Sequence, residues 1–263
     1  MTLSMPKISG HIHPISRAIF DIWAIFRTLG FDIALGPEIE TEWYNFDAVN
    51  MPADHPARDM QDTLWLRSNQ SLKSQIPNPK SQTNSKSQNP KVPNEEKNER
   101  PLLRTHVSGI QVRHMEAHKP PIRIMYPGKV FRNEATDATH EAAFHQIEWL
   151  LVDKKVSVAN LKGVIEHFLR AYFEKDMPIR FRPSYFPFTE PSLEVDMQWK
   201  GKWLEIIGAG LVHPNVFKAA KIDPNEWQGL AFAAGLDRLI MLKYGIPDVR
   251  MFYNGDLRLV NQF

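Results

Sequence analysis

The stretch Pro120–Val152, PPIRIMYPGKVFRNEATDATHEAAFHQIEWLLV, decides the fold, because it predicts a strand, a charged turn and a returning strand. Successive side chains of a strand point to opposite faces of the sheet. Arg132 and Glu134, at the end of the first strand, therefore share one face, and Gln146 and Glu148 share a face on the return. We expect these four polar groups to lie on one surface of the hairpin.

Ile147 and Trp149 alternate with these polar residues and predict an apolar opposite surface. A sheet with one polar and one apolar face is a platform for a polar ligand. The alternative is an ordinary solvent-facing strand, because such strands alternate in the same way and exposed Arg–Glu pairs contribute little. The rest of the chain decides between these two interpretations.

Length and composition exclude several classes of protein. The 263 residues suffice for one large domain or two small ones, and 32 basic against 30 acidic residues give a net charge of only +2. This charge does not indicate a bulk nucleic-acid binder, and the absence of cysteine excludes disulfides and thiolate metal sites. No apolar run approaches the roughly 20 residues of a membrane span, and the first residues lack the apolar core of a signal peptide. We therefore expect a cytoplasmic protein without membrane association.

The first third of the chain contains a helix, a bent strand and an atypical insertion. Apolar residues recur at helical spacing between Pro14 and Gly30, and the strand that follows bends at Gly36–Pro37. The segment Ser68–Arg100 is rich in Ser, Gln, Asn, Pro and Lys and has few large apolar side chains, which predicts a disordered insertion within one domain. Charged residues before it fit a surface loop better than a metal site, since their spacing matches no common ligand set: Asp54, His55, Arg58 and Asp59.

The remaining segments predict an α+β fold. Ser108 and Ser157 are candidate N-caps of two helices, and further strands follow, one of which carries Gly208 and Gly210 around Ala209. The result is an antiparallel β-sheet flanked by helices rather than an alternating βαβ chain. The sequence contains neither G-x-G-x-x-G nor G-x-x-x-x-G-K-[ST], so a nucleotide would need another binding device.

Several motifs, in order, carry a resemblance to the class II aminoacyl-tRNA synthetases. LGPEIE resembles motif 1, FRNE with FHQIE resembles motif 2, and GLAFAAGLDRL, which contains Arg238, resembles motif 3. More narrowly, the chain is similar to the alpha-subunit family of bacterial phenylalanyl-tRNA synthetases in NFDAVNMPADHPARDMQDTLWL, LLRTHVSGIQVR, YFPFTEPSLEVDM and GAGLVHPNV. The resemblance covers nearly the whole chain outside the insertion and implies a catalytic domain over residues 1–263, interrupted at about 68–100.

The resemblance implies a two-step reaction. L-Phenylalanine and ATP form phenylalanyl-adenylate and pyrophosphate, and the amino acid then passes to the 3′-terminal adenosine of tRNA(Phe). Arg132 would hold the α-phosphate and the carboxylate, and Arg238 the γ-phosphate, because a guanidinium matches phosphate oxygens and stays charged. Phe144 would stack on adenine and Glu134 would bind its edge.

The amino-acid site implied by the family combines acceptors with aromatic rings. His106, Ser108, Gln146 and Glu148 would hold the ammonium group, and Phe186 and Phe188 project the same way because they flank Pro187. The residues expected to close the far end are Thr189 and Ala231. Glu190 is a candidate Mg²⁺ ligand, because Mg²⁺ beside phosphates needs only one or two protein carboxylates.

Partners follow from the same resemblance. An apolar pocket rejects an added hydroxyl by only about 10²-fold, so tyrosine would leak through and editing would require the beta subunit of an α2β2 heterotetramer. The family's N-terminal helical hairpin is missing, because motif 1 starts near residue 14, and no anticodon-binding domain follows motif 3 before Phe263. A reduced natural form, a fragment and an internal start site are the three explanations.

Two other functions are open at this stage. The missing arm is compatible with a non-catalytic relative that binds an amino acid or a partner, although such a module has no use for two phosphate-binding arginines. A stand-alone ligase that acts on a small acid without tRNA is the other alternative.

Overall fold

The computed structural model describes residues 10–58, 62–66 and 100–263. The predicted insertion therefore lies outside the described residues except for Arg100, and so does Asp59. The helices of the described part are α1 (Pro14–Arg27), α2 (Glu42–Asn45), α3 (Gly109–Ala117), α4 (Val158–Phe173), α5 (Pro214–Ala219), α6 (Leu236–Tyr244) and α7 (Leu257–Val260). Its strands are β1 (Asp32–Ile33), β2 (Ile39–Thr41), β3 (Pro101–Leu103), β4 (Ile122–Phe131), β5 (Ala143–Asp153), β6 (Ile179–Phe186), β7 (Thr189–Trp199), β8 (Lys202–Val212) and β9 (Gln228–Gly235).

A seven-stranded sheet in the order β1-β4-β5-β9-β8-β7-β6 forms the centre of the fold. Only β1 pairs in parallel, with β4, and the other neighbours are antiparallel. This confirms the predicted α+β class, an antiparallel β-sheet flanked by helices. Within the described ranges no helix is long and apolar enough to cross a bilayer.

The predicted hairpin consists of β4 and β5, whose ends meet where Phe131 pairs with Ala143. Ile147 and Trp149 are fully buried against the helical layer. Gln146 and Glu148 point to the other side of the sheet, as predicted, where they line a cavity. The alternation of β5 thus separates the core from the candidate site.

The larger core lies between the sheet and helices α1, α4 and α6. Phe26 of α1 is at its centre, with ring centroids of Trp149, Phe168 and Phe232 at 4.9, 5.4 and 6.0 Å. Aromatic pairs at these separations add to the stabilisation from buried area. The apolar stripe predicted for the first helix is therefore the surface that fixes this helix on the sheet.

A small second sheet joins the two sides of the insertion. Strands β2 and β3 pair antiparallel, and Trp65 forms an isolated bridge with Leu102. The Leu66 N–H donates to the Pro101 carbonyl at 2.9 Å, and the Leu103 N–H donates to the Leu64 carbonyl at 3.0 Å. Backbone hydrogen bonds thus join the segment before residues 67–99 to the segment after them.

The predicted caps have different outcomes. Ser157 caps α4 in a capping box with Asn160, as expected. Ser108 occupies the predicted N-cap position of α3, but its side chain makes no capping hydrogen bond. Its hydroxyl instead donates to the Glu148 carboxylate, at 2.8 Å to Oε1 and 2.9 Å to Oε2. The prediction of a Ser108 side-chain cap is therefore wrong, because the buried carboxylate competes for the hydroxyl.

The prediction that Arg58 belongs to a charged surface loop is wrong, because its side chain is only 8% exposed. Its guanidinium donates to the Met51 carbonyl and to Asp47 Oδ1, the latter at 2.9 Å. The group also lies over the Phe46 ring, 4.9 Å from its centroid. Arg58 therefore fastens the loop to the body of the protein.

We expect Phe26→Ala to lower the free energy of unfolding by about 3–5 kcal/mol, because it opens a cavity among four aromatic rings. Phe20→Ala is the matched control on the same helix, since Phe20 is 56% exposed and the substitution should change stability by less than about 0.5 kcal/mol. Urea unfolding measures both. Similar losses in the two variants would contradict the assignment of the buried face.

Candidate active site

A cavity of about 450 Å³ lies on the polar face of the sheet, over β5, β8 and β9. Gly208, Ala231 and Ala233 contribute to its wall. None of these residues carries a side chain larger than a methyl group. The cavity therefore exists because the sheet presents almost no side-chain volume at its centre.

Most of the predicted site residues meet in this cavity. Those in its wall are His106, Ser108, Arg132, Glu134, Gln146, Glu148, Phe186, Phe188, Thr189 and Ala231. The predicted residues that are not part of the wall are Phe144, Arg238 and Glu190. Sequence reasoning did not single out Met51, Ala57, Asp62, Thr105 and Gln111, which also line it.

One end of the cavity presents hydrogen-bond acceptors. Glu148 is 6% exposed and accepts both hydrogen bonds from Ser108. The Gln146 Oε1 atom is buried and has no partner within the described ranges. Two acceptors side by side, one of them unsatisfied, are suited to a cationic donor such as a primary ammonium group.

Burial raises the pKa of Glu148 from 4.5 to about 7. The hydrogen bond from Ser108 and the charges of Arg104 and Arg132 oppose this shift without cancelling it. Burial, and after it the charge of Glu148, raises the pKa of the Tyr126 hydroxyl, which makes no hydrogen bond of standard geometry in the described part. A bound cation would favour the ionised form of Glu148.

His106 contributes a neutral ring to the same end. Burial and the charge of Arg132 lower its pKa to about 4. Its Nδ1 accepts the Ser108 N–H at 3.3 Å, and its Nε2 is buried without a standard hydrogen bond among the described residues. The imidazole is therefore uncharged at neutral pH and adds no repulsion toward a cation.

The other end of the cavity lies over β8 and is aromatic, since Gly208 pairs with Ala233, which pairs with Glu148. The two ends meet where the Phe188 and His106 ring centroids are 6.2 Å apart. The Phe186 and Phe188 rings are nearly parallel, with an interplanar angle of 7° and centroids 6.0 Å apart. Phe186 packs directly over Gly208, where a Cβ would lie 3.1 Å from its Cζ. Both phenylalanines line the cavity, as expected from their spacing.

The two predicted phosphate-binding arginines lie at the same end of the sheet. Arg132 follows β4 and Arg238 lies in the first turn of α6, after β9, and these two strands flank β5 at a separation of roughly 10 Å. The Arg132 Nε donates to the Thr105 carbonyl at 3.3 Å, and the Arg238 Nη1 to the Glu205 carbonyl at 3.1 Å. Arg238 is exposed and does not line the cavity.

Phe144 and Glu190 lie outside the cavity wall for different reasons. The Phe144 ring is half-buried beneath Arg132, whose guanidinium carbon is 5.1 Å from the ring centroid. The Glu190 side chain is 73% exposed and pairs with His213 Nε2 at 3.3 Å. Within the described segments, no three His, Asp or Glu side chains cluster as metal ligands.

Arg104 is a structural residue that sequence reasoning missed. It is 4% exposed and donates to three carbonyls, those of Lys129 at 2.7 Å and of Gly36 and Pro37 at 3.0 Å each. Gly128 makes room for it, because a Cβ there would clash with Arg104 Nη2. The bend at Gly36–Pro37, which the sequence did indicate, is thereby fixed to β4.

A second missed group holds β5 from the side opposite the cavity. Asp237 Oδ2 accepts the His145 backbone N–H at 3.0 Å and the Tyr253 hydroxyl at 2.7 Å. Burial raises the pKa of Asp237 to about 6 and lowers that of His145 to about 4. Since His145 lies between Phe144 and Gln146, this carboxylate sets the position of two predicted site residues.

Comparisons with known proteins agree with this geometry. The family model described as tRNA synthetases class II core domain (F) matches residues 2–263. The phenylalanine–tRNA ligase alpha subunit of Agrobacterium fabrum is 48% identical over 98% of this chain and 68% of its own length. The alpha subunit of Mannheimia succiniciproducens is 49% identical over 97% of this chain and 68% of its own length.

The fold also resembles that of a solved structure. The pyrrolysyl-tRNA synthetase of Desulfitobacterium hafniense superimposes with a TM-score of 0.63 over 92% of this chain and 74% of that one. The two sequences are 16% identical, so this likeness concerns the fold alone.

Glu148→Gln should gain stability relative to the unsubstituted chain as the pH rises. Between pH 4.5 and about 7 the folded chain binds more protons at Glu148 than the unfolded chain, so its contribution to stability falls across this window. Between about pH 5 and pH 8, the difference in free energy of unfolding between the two proteins should change by about 3 kcal/mol in favour of Glu148→Gln. Urea unfolding of both proteins at each pH measures it. Subtracting the stability of one protein from that of the other at each pH removes the contribution of Asp237, which titrates in both. A difference that does not change with pH would contradict a raised pKa of Glu148.

Gly128→Ala should lower the free energy of unfolding by about 1–3 kcal/mol, because the new Cβ would clash with Arg104 and lie 2.9 Å from Val107 Cγ1. The control is Gly163→Ala in α4, where a Cβ meets nothing within 4 Å and should stabilise the helix by about 0.5–1 kcal/mol. Thermal unfolding compares the two. An unchanged Gly128→Ala variant would show that Arg104 is not fixed.

Proposed function

This chain belongs to the class II tRNA synthetase core-domain family, together with the phenylalanine–tRNA ligase alpha subunits, and we propose that it activates L-phenylalanine with ATP and transfers it to the 3′-terminal adenosine of tRNA(Phe). The observation that carries the proposal is a single cavity with acceptors at one end and two phenyl rings at the other. An aromatic amino acid carries an ammonium group at one end, which suits the acceptors, and a ring at the other, which suits the two phenyl rings.

The acceptor end binds the ammonium group of the substrate. Glu148 supplies the negative charge, Gln146 Oε1 supplies an acceptor without a partner in the described part, and Ser108 orients the carboxylate. The neutral His106 completes this end without repulsion. Bound substrate therefore keeps Glu148 ionised at neutral pH.

The aromatic end binds the phenyl ring. Phe186 and Phe188 offer ring edges and faces, and such contacts add about 0.5–1.5 kcal/mol per pair beyond buried area. In this proposal Thr189 and Ala231, both in the cavity wall, close this end.

Activation requires positioning and charge neutralisation rather than a covalent intermediate with the protein. A carboxylate oxygen of phenylalanine attacks the α-phosphorus of ATP, the bond to the bridging oxygen breaks, and pyrophosphate leaves with its electron pair. Arg132 neutralises the α-phosphate and the attacking carboxylate, and Arg238 binds the γ-phosphate end. Phe144, held beside Arg132, stacks on adenine, and Glu134 binds the base edge.

Mg²⁺ accompanies ATP in this proposal and neutralises phosphate charge. Glu190 is the residue that would hold the ion, since its carboxylate is exposed and Mg²⁺ beside phosphate oxygens needs one or two protein carboxylates. His213 pairs with this carboxylate in the described structure and would release it.

The proposed assembly is an α2β2 heterotetramer with a beta subunit that carries editing, and it acts in the cytoplasm on tRNA(Phe). The alpha-subunit designation of the relatives supports a partner chain. An apolar pocket discriminates against an added hydroxyl by only about 10²-fold, which makes a separate editing site necessary.

Purified with its beta-type partner, the chain should catalyse phenylalanine-dependent exchange of pyrophosphate into ATP. Arg132→Ala should lower this exchange by at least about 10²-fold, because it removes the charge at the reacting phosphate. Arg123→Ala is the control, since Arg123 is an exposed arginine of β4, the strand that Arg132 follows, and pairs with Asp153. Phenylalanine binding without ATP binding or exchange would favour a non-catalytic relative, and exchange that needs another acid would favour a different ligase.

A further inference from the structure

Ser192 is a buried residue of β7 that does not itself line the cavity. Its Oγ accepts the Phe186 N–H at 3.0 Å and donates to the Thr189 carbonyl at 2.8 Å. The Thr189 Oγ1 lies 2.7 Å from the same atom. One hydroxyl thus connects two residues of the aromatic end.

The Ser192 and Thr189 hydroxyls share one hydrogen bond, in which either oxygen is able to donate. The Ser192 proton also has two backbone acceptors, the Thr189 carbonyl at 2.8 Å and the Phe186 carbonyl at 3.4 Å. When the Ser192 proton is on a carbonyl, the Thr189 hydroxyl donates to Ser192. In both arrangements the Thr189 hydroxyl is hydrogen-bonded to Ser192 inside the hairpin.

Gly210 shows where the Thr189 hydroxyl lies. A Cβ at position 210 would be 2.6 Å from Thr189 Oγ1 and from the Pro191 carbonyl oxygen, so the hydroxyl rests on the sheet in the space that this glycine leaves. Gly210 pairs with Ala231, the neighbouring residue of the same end. With the hydroxyl turned to the sheet, the Thr189 methyl group is what remains for the cavity.

The consequence concerns ligands with a hydroxyl on the ring. A phenyl ring needs only apolar neighbours at this end, whereas a buried phenol hydroxyl without a partner pays a desolvation cost. A site that hydrogen-bonds the hydroxyl would favour the phenol instead. Selectivity therefore depends on keeping the Thr189 hydroxyl occupied.

We propose that Ser192 is a positioning residue that sets selectivity for phenylalanine over tyrosine by holding the Thr189 hydroxyl on the sheet. The inference rests on the proposed function, because it concerns the ring end of that site. Ser192 touches no substrate and acts through Thr189 and, by way of the Phe186 N–H, through the ring beside it.

The test compares phenylalanine and tyrosine in pyrophosphate exchange and in calorimetric binding to the chain purified with its partner subunit. In Ser192→Ala, the ratio of kcat/KM for phenylalanine to kcat/KM for tyrosine should fall about tenfold, and so should the corresponding ratio of affinities. The reason is that the freed Thr189 hydroxyl would form one hydrogen bond with the tyrosine hydroxyl, and a tenfold change is what one such bond contributes. Ser184→Ala is the matched control, because Ser184 faces Ser192 across the hairpin but donates to Glu194 at 2.7 Å. Its ratio should not change.

A double variant separates this role from general loosening of the site. Thr189→Val/Ser192→Ala has no hydroxyl to release, so its ratio should return toward the original value. An unchanged ratio in Ser192→Ala, or the same low ratio in the double variant, would overturn the inference. Should Ser192→Ala not fold, Ser192→Cys keeps the size with a weaker acceptor and should show a smaller fall. Loss of exchange with intact binding selectivity would count against the proposed function only.

Discussion

The two-residue period of β5 is the constraint on which the rest of the structure depends. Every second side chain of this central strand must suit an apolar core, and the intervening ones must suit a polar cavity. Trp149 and Ile147 meet the first requirement by packing against the helices, while Gln146 and Glu148 meet the second. A shift of register by one residue would exchange the two faces, so core packing and site composition are specified together.

The cavity forms because the strands beside β5 carry glycine and alanine, whose side chains take up almost no space. Gly208 and Gly210 leave space that Phe186 and Thr189 occupy from the hairpin above. The same region keeps Glu148 in an environment that raises its pKa and leaves other polar atoms unpaired in the described part. These groups cost stability in the free protein, and they are the groups that a charged ligand would satisfy.

Features that depend on nearby residues were predictable from the sequence. The Ser157 cap, for example, is set within one turn of helix. Ser108 takes its predicted N-cap position, but its side chain does not cap the helix because a carboxylate 40 positions away accepts the hydroxyl. The ion pair of Glu190 with His213 also joins residues that are distant in the sequence. Arg104 and Ser192 were missed because their roles consist of hydrogen bonds to backbone atoms that only the folded chain brings together.

The small sheet beside the insertion has an evolutionary consequence. Hydrogen bonds from Leu66 to Pro101 and from Leu103 to Leu64 close the fold on both sides of residues 67–99. The entropic cost of a closed loop grows only with the logarithm of its length, so each doubling adds about 0.6 kcal/mol. Insertions and deletions between these anchor points should therefore have little effect on the stability of the rest of the fold.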